Sequence, residues 1–154
     1  MSQTPDPFLQ ILEAYRAAVL AKDIEAFLAL YDTEVHVFDL WGAWSLHGLE
    51  AWRGMAVEWF ASVGEEWIVV DIDQARSTCS GELAIGHAFL TYTAISADGQ
   101  ELRSLDNRIT AAMRKVDGIW KIFHEHTSAP IDHSSLKAVL RRGRGNPDEG
   151  SAAQ

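Results

Sequence analysis

From Glu66 to Ser128 the chain is written almost entirely in period two. The stretches EWIVVDIDQARS, ELAIGHAFLTYTAIS, ELRSLDNRITAAMRK and GIWKIFHEHTSAP alternate apolar with polar residues, and turn residues part them: Gly81, then ADGQ, then VDG. Alternation at that period sends successive side chains to opposite faces of a strand, and short glycine-bearing joints link neighbours into antiparallel hairpins. The expectation is a meander. A sheet of this kind has one apolar face, and something must cover it.

The cover comes first in the chain. Asp6-Pro7 reads as an N-cap followed by proline in the first turn, with Phe8, Ile11, Leu12, Tyr15 and Val19 at helical spacing behind it. Asp23 caps a shorter second helix carrying Ile24, Phe27, Leu28 and Tyr31 on one side. A strand follows in VHVFDLWG, where Val35, Val37, Asp39 and Trp41 share one face and His36, Phe38 and Leu40 the other. Between Gly48 and Gly64 lies a third helix, with Leu49, Trp52, Ala56, Trp59, Phe60 and Val63 as its stripe. Helices followed by a long antiparallel sheet make an α+β fold, and a strongly bent sheet wrapped over helices encloses a cone-shaped cavity. Residues 1–132 form the expected domain. Residues 133–154 read as a C-terminal tail, with a short helix over Ser134 to Leu140 and then a mobile, solvated run, RRGRGNPDEGSAAQ.

Charge narrows the partners. Twenty-two acidic against 13 basic residues give −9, which repels nucleic acid and anionic membrane surfaces. No apolar run approaches the ~20 residues that span a bilayer. A lone cysteine, Cys79, forms no internal disulfide, and the start MSQTPDPF lacks the basic and apolar regions of a secretory signal, so the expected compartment is the cytoplasm. No glycine-rich phosphate loop is present and no cofactor is implied. His124-x-His126 puts two imidazoles on one strand face, but no third metal ligand is evident and histidines at an interface are the preferred reading. Ser45, Cys79 and Ser128 have no base at a recognisable spacing.

The end of the meander, SLDNRITAAMRKVDGIWKIFHEHTSAP, resembles the nuclear transport factor 2-like superfamily, particularly its SnoaL-like members and the association domain of calcium/calmodulin-dependent kinase II. An Arg, a basic-Asp-Gly turn, a Trp and then His-x-His-x-Ser with proline close behind carry the likeness, which extends over about residues 8 to 132. The resemblance implies the cone-shaped α+β barrel. It also implies that Arg108 and Thr127 point into the pocket, with Glu125 and Phe123 lining it and Trp120, Ile122, His124 and His126 on the outer face. An apolar outer face of that kind suits a homodimer interface.

On that reading Arg108 and Glu125 sit on adjacent strands, close enough to pair. Two roles stay open: a clamp for an anionic ligand group, or two buried charges that neutralise each other. Phe89 and Thr127 occupy positions where the association domain has further arginines. His87 faces the pocket beside Phe89, or is a satisfied core histidine. The front half, EAYRAAVLAKDIEAFLALYDTEVHVFDLWG, resembles bacterial steroid Δ5-3-ketoisomerases, with Tyr15 on their oxyanion-donating tyrosine and Asp39 on their proton-shuttling aspartate. A carboxylate among Val35, Val37 and Trp41 loses hydration and becomes a stronger base. Thr110 lies near the position of the isomerases' second acid. The expected function is binding of a small, largely apolar carbonyl compound, with proton-transfer chemistry of the isomerase, cyclase or dehydratase kind. The alternative is a non-catalytic ligand-binding or oligomerisation module.

Overall fold

A computed structural model describes residues 6–143. Helix α1 (Pro7–Ala21) starts where the sequence indicates: the Asp6 carboxylate accepts from the backbone N–H groups of Phe8 and Leu9, supplying two of the donors a helix start leaves open with a partner. Helix α2 (Ile24–Leu28) is capped by Asp23 through Ala26 N at 3.0 Å. Tyr31 is not on that helix. It opens strand β1 (Tyr31–Phe38), which pairs antiparallel with the short β2 (Leu46–His47). Helix α3 (Leu49–Val63) then leads to β3 (Trp67–Ser80), β4 (Leu83–Ile95), β5 (Glu101–Val116) and β6 (Ile119–Ser128). Among the described residues no helix is long and apolar enough to cross a membrane.

The six strands lie in the order β2-β1-β6-β5-β4-β3, all antiparallel except the β1–β6 pair. The sheet curves around the helices without closing, which confirms the α+β cone and leaves β2 and β3 as its edges. Its concave face and the helices share one core. Phe8, Leu12, Val19, Phe27, Val35, Val37, Leu90, Met113 and Ile122 are all at most 2 % exposed in it. Phe8 packs so closely on β4 that a Cβ at Gly86 would overlap its ring.

Four ladders carry a break in register. One lies between Asp73 and Arg76, where Gln74 has φ 54°; one between Tyr31 and His36; one between Ala94 and Ile95; and one where Ala112 pairs with His124 but Met113 with Ile122. Bulges bend and twist a strand, and these are placed to curl the sheet. The last break also decides which side chains face in. Phe123 is the extra residue, so Ile122, Glu125 and Thr127 point inward and His124 and His126 outward. Ile122, expected outside, is 1 % exposed, and Phe123, expected inside, lies under the Arg114 guanidinium.

The chain after β6 forms a turn and an isolated bridge, Ile131 to Ala138, in place of the expected helix. Beyond the end of β6 the Asp106 N–H donates to Leu140 O, and the Asp106 carboxylate accepts from Arg142 N at 2.6 Å. Arg142 also pairs with Asp73 and stacks on Phe89. The first part of the expected solvated run is therefore docked on the sheet. The rest of that run, residues 144–154, lies outside the described residues.

Candidate active site

Alternation along β1 aims Tyr31, Val35 and Val37 at the interior, and the chain leaves the strand with Asp39 still on that side. Thr127 fixes it there. The Thr127 hydroxyl donates to Asp39 Oδ1 at 3.0 Å while its oxygen accepts from Leu40 N at 2.8 Å, so the end of β6 holds the residue after β1. Burial raises the Asp39 pKa above the usual aspartate range, partly offset by the Thr127 hydroxyl and by nearby backbone N–H groups.

Glu125 lies one inward position earlier on β6, between Val37 of β1 and Ala111 of β5, and is 3 % exposed. The Tyr31 hydroxyl donates to its Oε1 at 2.7 Å. Desolvation pushes its pKa up to about 7; the Tyr31 hydrogen bond opposes this and the negative charge of Asp39 adds to it. Two carboxyl groups thus share one apolar interior, each poised to hold a proton at higher pH than in water. That is how acid and base roles are set apart near neutrality.

A pair of phenols completes the cluster. Tyr15 projects from α1 and Tyr92 from β4, and their hydroxyls meet at 2.8 Å. Burial raises both pKa values, so both are neutral donors at any physiological pH. Tyr92 faces inward and, like Trp59, Met55 and Asp39, is half-buried. Trp59 and Tyr92 meet edge to face with ring centroids 6.1 Å apart.

The expected site is therefore half assembled. Tyr15, Asp39, Glu125 and Thr127 are brought together. Arg108, Thr110, His87 and Phe89 are not: the direct pairing of Ile109 with Thr127 gives Arg108 and Thr110 the opposite parity, and they stand on the outer face. Arg108 is exposed and donates to Ser128, so it neither reaches Glu125 nor lines a pocket. On β4 the inward set is Ala84, Ala88, Leu90 and Tyr92, which turns His87 and Phe89 outward. Trp41 lies past the end of β1 in the bend before β2, 56 % exposed. Tyr31, Tyr92 and Asn107 were missed. Tyr92 and Asn107 share parity with the inward Leu90 and Ile109, and that alternation is the signal that finds them; Tyr31 lies across the register break from Val35, where alternation fails.

The histidines gather outside. His47, His36 and His124 lie in register across β2, β1 and β6, and His126 pairs with Phe38. His124 Nδ1 lies 2.8 Å from His36 O. Among the described residues no three His, Cys, Asp or Glu side chains converge as a metal site.

A family model described as the SnoaL-like domain matches residues 9–132. No curated protein matches the sequence. Among solved structures, an NTF2-like protein of unknown function from Pseudomonas putida KT2440 is similar, with 26% identity and a TM-score of 0.77 over 88% of this chain and 93% of that one. A proposed dehydratase of the NTF2-like family from Streptomyces avermitilis has 14% identity and a TM-score of 0.69 over 79% and 93%. A proposed calcium/calmodulin dependent protein kinase II association domain from Xanthomonas campestris has 16% identity and a TM-score of 0.68 over 80% and 85%. At these lower identities the last two bear on the fold alone.

Proposed function

The chain belongs to the SnoaL-like domain family, and from that premise we propose that it binds a small, largely apolar carbonyl compound in the cone and moves a proton on it. The observation that carries this reading is the carboxyl pair Asp39 and Glu125, both raised by burial in one interior. Asp39, less deeply buried than Glu125, is the base. It takes a proton from the carbon next to the carbonyl; the electron pair moves into an enolate, whose oxygen is stabilised by a hydroxyl of the Tyr15–Tyr92 pair. Return of the proton to a different carbon makes an isomerase, and loss of a leaving group makes a dehydratase. Glu125, half-protonated near pH 7, donates or accepts the second proton.

The test is solvent deuterium exchange into a panel of cyclic enones and β-keto esters. Asp39→Asn abolishes exchange, because the amide keeps the shape and loses the base. Absence of exchange above that variant's background supports the non-catalytic module. One observation favours that second reading: Tyr31 with Glu125, and Tyr15 with Tyr92, already satisfy one another.

We also infer that a second copy packs on the outer sheet face. Its central rows, Ile85–Ala112–His124–His36–His47 and His87–Thr110–His126–Phe38, carry no carboxylate in a chain of net charge −9. Two copies meet there without acid facing acid. Cys79 is free and exposed, which accords with the cytoplasm as its compartment.

A further inference from the structure

Proton transfer in the cone makes no use of His36 and His47, yet the sheet holds them side by side. They are direct partners across β1 and β2, and Gly48 N donates to Val35 O at 2.7 Å. A bond between the residues flanking a pair marks it as a non-hydrogen-bonded pair of the antiparallel ladder. There the Cα atoms approach to about 4.5 Å and the side chains lie closest. Both histidines are exposed on the outer face, with ring centroids 5.2 Å apart.

That spacing fits a shared metal ion. Two imidazoles on one tetrahedral ion, each about 2 Å from it through nitrogen, have their centroids about 5 Å apart. The surroundings suit ligation as well. A Glu34 carboxylate oxygen lies 3.7 Å from His47 Nε2, which favours the proton on that nitrogen and leaves Nδ1 with the lone pair. His124 is not a third ligand: its ring stands edge-on to His36 at 6.3 Å, and its Nδ1 donates to His36 O. Among the described residues no third His, Cys, Asp or Glu completes the set.

Two ligands do not close a zinc shell, which takes four. A two-fold axis supplies the rest. His36 and His47 belong to the row Ile85–Ala112–His124–His36–His47, and an axis lying along that row sets each of its residues against its own copy. Four imidazoles then converge. A divalent cation between them also offsets the repulsion of two chains of net charge −9.

We propose that His36 and His47 bind a divalent transition-metal ion of the zinc class, shared by two copies through four imidazoles. This rests on the outer-face assembly and adds a ligand to it. The ion is structural, because four protein ligands leave no position for water or substrate.

The experiment is calorimetric titration of the untagged, chelator-treated full chain with zinc chloride at pH 7.5, with light scattering on the same samples. Wild type is compared with His36→Gln, His47→Gln and, as a control away from the pair, His133→Gln. Wild type is expected to take up one ion per two chains, and zinc to hold the dimer at dilutions that dissociate the metal-free chain. Each glutamine variant of the pair is expected to lose about tenfold or more in affinity, the least that loss of even an outer partner of a ligand costs, while melting as wild type without metal. His133→Gln is expected to bind as wild type. A dimer that persists in chelator and takes up no zinc overturns the metal site and leaves the assembly standing. A monomer with and without zinc overturns both. Uptake of one ion per chain, or affinity unchanged in both variants of the pair, marks an adventitious surface ion only and overturns the proposal.

Discussion

The Tyr31 hydroxyl and the Glu125 carboxylate meet across 2.7 Å in the interior, one at the start of β1 and the other near the end of β6. The parallel pairing of those two strands, with its register break after Tyr31, brings them together. A carboxyl so placed is held by a neutral donor and not by a cation, so its charge is expensive and its proton is kept.

That expense appears in the dependence of stability on pH. Glu125 has a folded-state pKa of about 7, above its ordinary value of 4.5. The folded protein therefore holds the proton more tightly than the unfolded chain. The stabilisation is complete below about pH 4.5 and is lost as the pH rises through 7, on the order of 3 kcal/mol in all. Urea titrations between pH 5 and 8 are expected to show wild-type stability falling, and Glu125→Gln flattening the fall because the amide has no proton to lose. A slope unchanged in the variant would locate the proton elsewhere.

Gly86 exists to admit Phe8. Gly86→Ala inserts a methyl group into the Phe8 ring, and overpacking of that kind costs about 1–3 kcal/mol. Phe8→Leu costs stability alone, but in combination with Gly86→Ala the two losses are expected to sum to less than their separate values, since the smaller side chain makes room. Strict additivity in denaturant midpoints would mean that the contact is not what fixes the glycine.

Assembly on the outer face is tested at its centre. Ile85 is 52 % exposed in the single chain and lies in the row with Ala112, His124 and His36. Ile85→Asp is expected to convert a dimer to a monomer of unchanged melting behaviour by light scattering, because the residue is outside the core. A wild-type monomer at micromolar concentration counts against this face as an interface.

The C-terminal anchor gives a separate readout. Asp106 accepts from the Thr91 hydroxyl and from Arg142 N, and its own N–H donates to Leu140. Asp106→Ala removes the carboxylate that holds residues 139–142, and faster amide exchange confined to that stretch is the expected result. Uniform loss of protection across the sheet would instead make Asp106 part of the global core.

The architecture was legible because it rests on periodicity. Asp6-Pro7, Asp23, Gly48 and Gly64 mark helix limits by capping and backbone chemistry, and ADGQ and VDG mark hairpins. The site was legible only in part, because parity within a strand fails wherever a bulge intervenes. Phe123 is a bulge with no glycine to announce it, and a strand read straight through it puts Ile122 outside. Arg108 goes outward although Thr127 faces in, because Ile109 is the residue that pairs with Thr127. Asp39 stands out because a carboxylate on an apolar face is conspicuous, whereas Glu125 is placed inward by the resemblance that turns Thr127 into the pocket. Tyr31, Tyr92 and Asn107 pass for ordinary strand residues until a structure shows what they adjoin.

Joint action of Asp39 and Glu125 on a carbon acid is read out by the pH profile of solvent exchange. Deuterium uptake into the best substrate of the enone and β-keto ester panel is followed from pH 5 to 9 for wild type, Asp39→Asn, Glu125→Gln and Tyr15→Phe. Wild type is predicted to show an inflection near pH 7, from Glu125, that is absent from Glu125→Gln. Asp39→Asn is predicted to lose at least about a hundredfold, and Tyr15→Phe less. Exchange by Asp39→Asn at the wild-type rate, with the inflection unmoved in Glu125→Gln, would mean that the two carboxyl groups take no part in proton transfer.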